Sequence, residues 1–181
     1  MSRFFVSDHP LYNLSDMAKL NVQIVNENDE IIGSKPRGEV DPQKDIYRVS
    51  GLWITNSKGE VLLAQRKFTK VHDPGKWGPA VAGTLEGGDT YESNIYKEAE
   101  EEIGLTGVKF KLGPKSRRYE PWNHFGQWFL VNIDRNIENF KIQEEEVEKI
   151  EWVPREKLVE DLKNNPERYI PSMPKIIEEL I

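Results

Sequence analysis

Three glutamates, Glu98, Glu101 and Glu102, stand at i, i+3 and i+4 in the stretch GTLEGGDTYESNIYKEAEEEIGL that runs from Gly83 to Leu105. On an α-helix that spacing brings the three carboxylates onto one face. Each like-charged pair at such spacing costs a few tenths of a kcal/mol, and the helix dipole adds a penalty near the C-terminal end, where the run sits. Both local effects oppose the arrangement, so the pattern points to something positive held there. Clustered carboxylate oxygens with no His or Cys among them suit a hard divalent cation, Mg2+ or Mn2+. An acidic run on a helix is also the ordinary mark of a solvated face, and EAEEE alone does not separate the two readings. Its company shifts the balance: a glycine ending an apolar run, a Gly-Gly-Asp turn, a capped helix and a glycine stop, all at fixed offsets.

The elements that must position these groups are legible on either side. Asp89 or Thr90 serves as N-cap, Glu92 follows Asp89 by three residues as in a capping box, and Gly104 falls where a left-handed residue ends a helix. The spacing predicts a helix of about three to four turns. Its core-facing stripe is Ile95, Ala99 and Ile103, extended backwards by Tyr91. Upstream, Val22 and Ile24, then Ile31 and Ile32, flank the turn-rich Asn26 to Asp29, which reads as a β-hairpin. A second hairpin turns at Asn56-Ser57-Lys58-Gly59, with Gly59 suited to positive φ. KFTKVHDPGKW reads as a polar, basic loop and GPAVAG as a short apolar run. Downstream, VKFKLG, SRRYEPW, FGQWFLVNI and VEKIEWV are strand-like, Pro154 suits the first position of a helix, and PSMPKIIEELI closes the chain as another. With no repeat or linker, the class is α+β: a mixed sheet packed between helices, in one domain spanning 1–181.

Composition narrows the functions. The formal net charge is -6, with acidic and basic residues interspersed, so no basic stripe recommends nucleic acid or an anionic membrane as partner. Cysteine is absent, which excludes disulfides, thiolate metal sites and a cysteine nucleophile together. The N-terminal stretch MSRFFVSDHPLYNLSDM holds no apolar run of signal-sequence length, and no segment approaches a membrane span, so a soluble, cytoplasmic chain is expected.

The 83–105 stretch resembles the Nudix box of the Nudix hydrolases: a glycine, five residues, a glutamate, seven residues, then Arg-Glu-aliphatic-any-Glu-Glu-any-Gly-aliphatic. Gly83 supplies the first position, Glu98, Glu101 and Glu102 the acidic cluster, and Gly104-Leu105 the close. Asp89 stands where the family has Glu, Lys97 where it has Arg, and Ala99 where a larger aliphatic residue is usual. The GKW before the box and EKIEWVP after it extend the similarity over about 45–163. The resemblance implies an α/β/α sandwich with an extra N-terminal hairpin at about 20–45 and a C-terminal helix at about 171–181. It implies Mg2+ or Mn2+ held by Glu98, Glu101, Glu102 and the Gly83 carbonyl, and hydrolysis of a nucleoside diphosphate linked to another moiety. For the general base the resemblance offers Glu98, or one of Glu144, Glu145 and Glu146, and a homodimer is one possible assembly, since members with such N-terminal hairpins often form dimers.

Arg66, ending the strand EVLLAQR, and Arg48 are the expected diphosphate ligands, with Lys70 and Lys76 behind them. Tyr119, Trp122 and Phe125 are candidates to stack on a base, while His72 and His124 read as isolated polar loop residues. The segments from NENDEIIGSKPRGEV through AVAG are most similar to the isopentenyl-diphosphate-isomerase-like branch. The isomerases, however, carry a catalytic Cys just before the box glycine and a metal-binding His just after it, positions held here by Ala82 and Thr84. Hydrolysis is therefore favoured over isomerisation, and a catalytically idle effector-binding module stands as a third alternative.

Overall fold

In the computed structural model, residues 21–119 and 122–181 are described; the N-terminal stretch read for targeting lies outside them. Strands β1 (Asn21–Val25) and β2 (Ile31–Pro36) form the first hairpin, and β3 (Ile46–Thr55) and β4 (Glu60–Arg66) the second. Short strands β5 (Trp77–Pro79) and β6 (Val81–Thr84) lead into helix α1 (Tyr91–Ile103). Then come β7 (Lys111–Arg118), β8 (His124–Asn132), β9 (Val147–Pro154) and the closing helices α2 (Arg155–Asn164) and α3 (Met173–Leu180). The strand-like segments around 108–118 resolve into the single strand β7, since Val108–Phe110 lies outside it. Pro154 is the residue before α2 rather than its first, because its ψ of 135 is extended and it is still paired with Glu60 at the end of β9.

Among the described residues, all nine strands join one mixed sheet. β3 is its axis. One edge of β3 runs parallel to β8 along its length, from Tyr47↔His124 to Thr55↔Asn132. The other edge is shared in turn by β1 near Tyr47, β6 from Val49 to Leu52, and β4 at Thr55 alone. β4 therefore leaves β3 directly after the hairpin and pairs instead with β9 and β5, while β6 fills the space between. That divergence opens the cleft described below.

The period-two alternation of a strand sends neighbouring side chains to opposite faces. Leu52 and Ile54 pack with Ile95, Ala99, Ile103 and Leu105 of the α1 side, whereas Trp53 packs with Leu158 and Leu162 of α2 and Met173 and Ile176 of α3. The Ile95, Ala99, Ile103 stripe is wholly buried. At roughly 1.5–3 kcal/mol for each large apolar side chain removed from water, such burial is what fixes α1 on the sheet.

Candidate active site

Helix α1 begins where Thr90 caps it. The Thr90 hydroxyl accepts the Ser93 N–H at 3.0 Å, and the Ser93 hydroxyl accepts the Thr90 N–H at 2.9 Å. The box partner is thus Ser93 and not Glu92, because the helix starts one residue later than a cap at Asp89 requires. Asp89 instead accepts the Glu86 N–H at 3.3 Å across the preceding turn. Lys97 pairs with Glu86, also at 3.3 Å. Gly104, at φ 63, ends the helix and donates to the carbonyls of Ala99 and Glu100.

Gly83 pairs with Ser50 of β3, directly under α1. Buried Asn94 donates to the Ser50 hydroxyl at 2.8 Å and to the Gly83 carbonyl at 3.2 Å, pinning helix to sheet. Sequence reasoning missed this residue, whose signal was a polar side chain one position from the apolar stripe. Glycine is required here by space: a Cβ would lie 2.5 Å from Glu98 Cγ.

The three box glutamates occupy different depths. Glu98 lies behind Gly83 at 2% exposure, and burial, opposed by Lys97 and reinforced by Glu101, pushes its pKa up to about 7. Glu101 is exposed, with its pKa also raised, first by desolvation. Glu102 accepts the Ala82 N–H at 3.1 Å, and burial together with the charges of Glu98 and Glu146 raises its pKa well above the usual range. Among the described residues, no group of three or more carboxylate or imidazole side chains converges as a ready-made metal cage. What the cluster offers is an all-oxygen donor set whose charged forms are disfavoured, first by burial and then by neighbouring carboxylates.

Glu102 lines a cleft of about 180 Å³ on the sheet face opposite α1, together with Glu146 and Arg66. Of the acidic triplet before β9, Glu144 and Glu145 are exposed, whereas Glu146 is buried with Lys70 Nζ 2.6 Å away. Arg66 closes β4 and donates from Nε to the His72 carbonyl at 3.0 Å. Arg48 is directed elsewhere. It follows the opposite face of β3 and is held by Asp29 at 2.7 Å and Gln23 at 3.2 Å, with its guanidinium over the Tyr91 ring. Lys76 pairs with Asp73 at 2.9 Å.

The aromatic candidates also separate. Trp122 lines the cleft, Phe125 sits under Lys115 and Arg117 on the other face, and exposed Tyr119 lies against Arg117. His124, read from the sequence as a loop residue, begins β8 and lines the cleft with Tyr47 and Arg118. Their period-two placement on β3 and β8 was the available signal.

Comparison with known proteins follows the same lines. The NUDIX domain family profile matches residues 45–176. An uncharacterised Nudix hydrolase of Pseudomonas aeruginosa is 28% identical over 148 residues, covering 82% of this chain and 85% of that protein. Nudix hydrolase 3 of Arabidopsis thaliana is 31% identical over 174 residues, 86% of this chain but 22% of that longer protein. Among solved structures, a Deinococcus radiodurans protein superposes with a TM-score of 0.77 at 20% identity, covering 87% of this chain and 97% of that one. The Nudix domain of Shewanella oneidensis NrtR, complexed with ADP ribose, superposes at 0.56 with 16% identity, over 78% and 91% of the two chains.

Proposed function

The chain belongs to the Nudix domain family, and from that premise we propose that it hydrolyses a diphosphate linkage in a nucleoside diphosphate joined to another moiety. The observation that supports this reading most is the meeting of Glu102, Glu146 and Arg66 in one cleft, with the buried Glu98 behind Gly83.

The donor chemistry fits a hard divalent ion. Glu98, Glu101 and Glu102 with the Gly83 carbonyl would hold Mg2+ or Mn2+, whose positive charge would offset the burial, and the nearby carboxylate charges, that raise the three pKa values. When bound, such an ion neutralises charge on phosphate oxygens and lowers the pKa of water. The remaining tasks fall to side chains of the cleft. Arg66 binds phosphate oxygens with its guanidinium. Glu146, fixed by Lys70, lines the cleft where a water must be deprotonated and is the better placed general base. Glu98, screened by Gly83, serves on the metal side. Isomerisation lacks support: Ala82 offers the cleft a methyl group and spends its N–H on Glu102, and neither it nor Thr84 supplies a thiol or imidazole.

The test is metal-dependent product release from nucleotide sugars, dinucleotides and oxidised nucleotides, with wild type beside Glu146→Gln and the Glu101→Gln, Glu102→Gln double variant. A fall in kcat of roughly 10²-fold for Glu146→Gln and loss of Mg2+ binding in the double variant are expected. No turnover on any of the panel with either metal would refute the reading.

A further inference from the structure

The hydrolytic reading uses the acidic end of the cleft and leaves the other end without a task. That end is built by Tyr47, Trp122 and His124. Tyr47 and His124 face each other across β3 and β8, with ring centroids 5.5 Å apart and planes at 28°. Along β3 they lie three residues from Ser50, the partner of Gly83, which is about 10 Å at the rise of a strand.

His124 is set in one tautomer. Its Nδ1 stands 3.0 Å from the Trp122 carbonyl oxygen, and a carbonyl only accepts, so Nδ1 carries the hydrogen. Burial, with Arg118 and Arg117 nearby, pushes the ring's pKa down to about 4 and keeps it neutral. The lone pair is therefore on Nε2, which makes no hydrogen bond among the described residues. Gly126 leaves room beside it, since a Cβ there would sit 3.8 Å from Nε2. The result is an aromatic slot with an imidazole acceptor fixed in its wall.

We propose that this end of the cleft binds the nucleobase of the substrate as a flat ring, selected by an edge N–H that donates to His124 Nε2. The proposal rests on the diphosphate reading for the acidic end and deepens it. An aliphatic chain would fill the slot but leave the acceptor desolvated and unpaired, and a flat heterocycle with an edge donor satisfies both walls and acceptor. A site built around a hydrogen bond discriminates strongly against a ligand that lacks it.

Calorimetry on the full chain in Mg2+ tests this with AMP, CMP and UMP, each beside a methylated partner that keeps the ring and loses the donor: N6,N6-dimethyl-AMP, N4,N4-dimethyl-CMP and 3-methyl-UMP. For at least one pair the parent should bind about ten-fold or more tightly. His124→Phe, which keeps a stacked ring without the acceptor, should erase that difference. His124→Gln, whose amide oxygen reaches the Nε2 position, should restore part of it. Equal affinity within every pair, or no binding of any parent nucleotide, overturns the proposal, and the wild-type comparison alone decides it if a variant fails to fold. Turnover on the nucleotide panel without pair discrimination removes the base site and leaves the hydrolase; pair discrimination without turnover removes the hydrolase and leaves the base site.

Discussion

Substituting Gly83 by Ala places a methyl carbon 2.5 Å from Glu98 Cγ, where carbon atoms are comfortable only at about 3.5–4.0 Å. Neither backbone can yield easily. Gly83 of β6 is paired to Ser50 of β3, and α1 is tied to both residues through Asn94. Glu98 must therefore swing out of its pocket. Overpacking of this kind costs roughly 1–3 kcal/mol, and for a chain of this length about 2–4 °C in Tm accompanies each kcal/mol. Glu98→Ala removes the three atoms nearest the new methyl, so Gly83→Ala should cost under about 0.5 kcal/mol in that background. The coupling expected in the double-mutant cycle is then about 1–2 kcal/mol. Urea denaturation of wild type, both single variants and the double variant in EDTA measures it. If Gly83→Ala costs the same with and without Glu98, the glycine is not reserved for that carboxylate and the packing argument fails.

Glu98 itself gives a pH signature in EDTA. Its folded pKa, about 7, lies above the ordinary glutamate value of 4.5, so the stability linked to its protonated form is full below 4.5 and lost as pH rises through 7; Glu98→Gln should thus be more stable than wild type at pH 8 by about 2–3 kcal/mol and lose that advantage at pH 4, as thermal melts at the two pH values would show. Steady-state kinetics should separate the two arginines: Arg66→Ala raises KM about ten-fold or more, while Arg48→Ala lowers Tm and leaves KM within about two-fold. Lys70→Met removes the ammonium beside buried Glu146 and should cost about 3–5 kcal/mol in urea denaturation, with Lys70→Met, Glu146→Met together recovering much of it.

The parts of this fold that could be read from sequence are those governed by local chemistry. The hairpin turn at Gly59, the stripe on α1 and the Gly104 stop follow from φ preferences and periodicity, and the structure has each of them, with Gly59 at φ 76. Where two adjacent caps competed, only the start of the helix decided, and it selected Thr90 with Ser93. The site was less legible because helical spacing gives angular position and not depth. Glu98, Glu101 and Glu102 share a side of α1, yet Gly83 makes room for one, Ala82 N–H holds another, and the third meets solvent. Arg48 was indistinguishable from Arg66 as an isolated cation, since its partner Asp29 comes from a hairpin loop distant in sequence. His124 looked solitary for the same reason. Its neighbour Tyr47 is 77 positions away and arrives through a parallel pairing that no local pattern announces.

That parallel pairing also explains why the two ends of the cleft differ in chemistry. β3 and β8 run side by side, so residues that alternate onto the cleft face form rows across both strands: Tyr47 with His124, Val49 with Gly126 and Gly51 with Trp128. At the far end β4 has already parted from β3, and the gap is closed by β6 and the loop bearing Lys70. Polar groups enter there because loop and strand ends, unlike strand interiors, deliver charged side chains without burying their stems in the sheet core. Arg66 is the last residue of β4, Glu146 the last before β9, and Glu102 lies in the last turn of α1. The charged end of the cleft is thus a junction of three element termini. The aromatic end lies where β3 and β8 begin side by side, with the imidazole of His124 held by the Trp122 carbonyl just before β8.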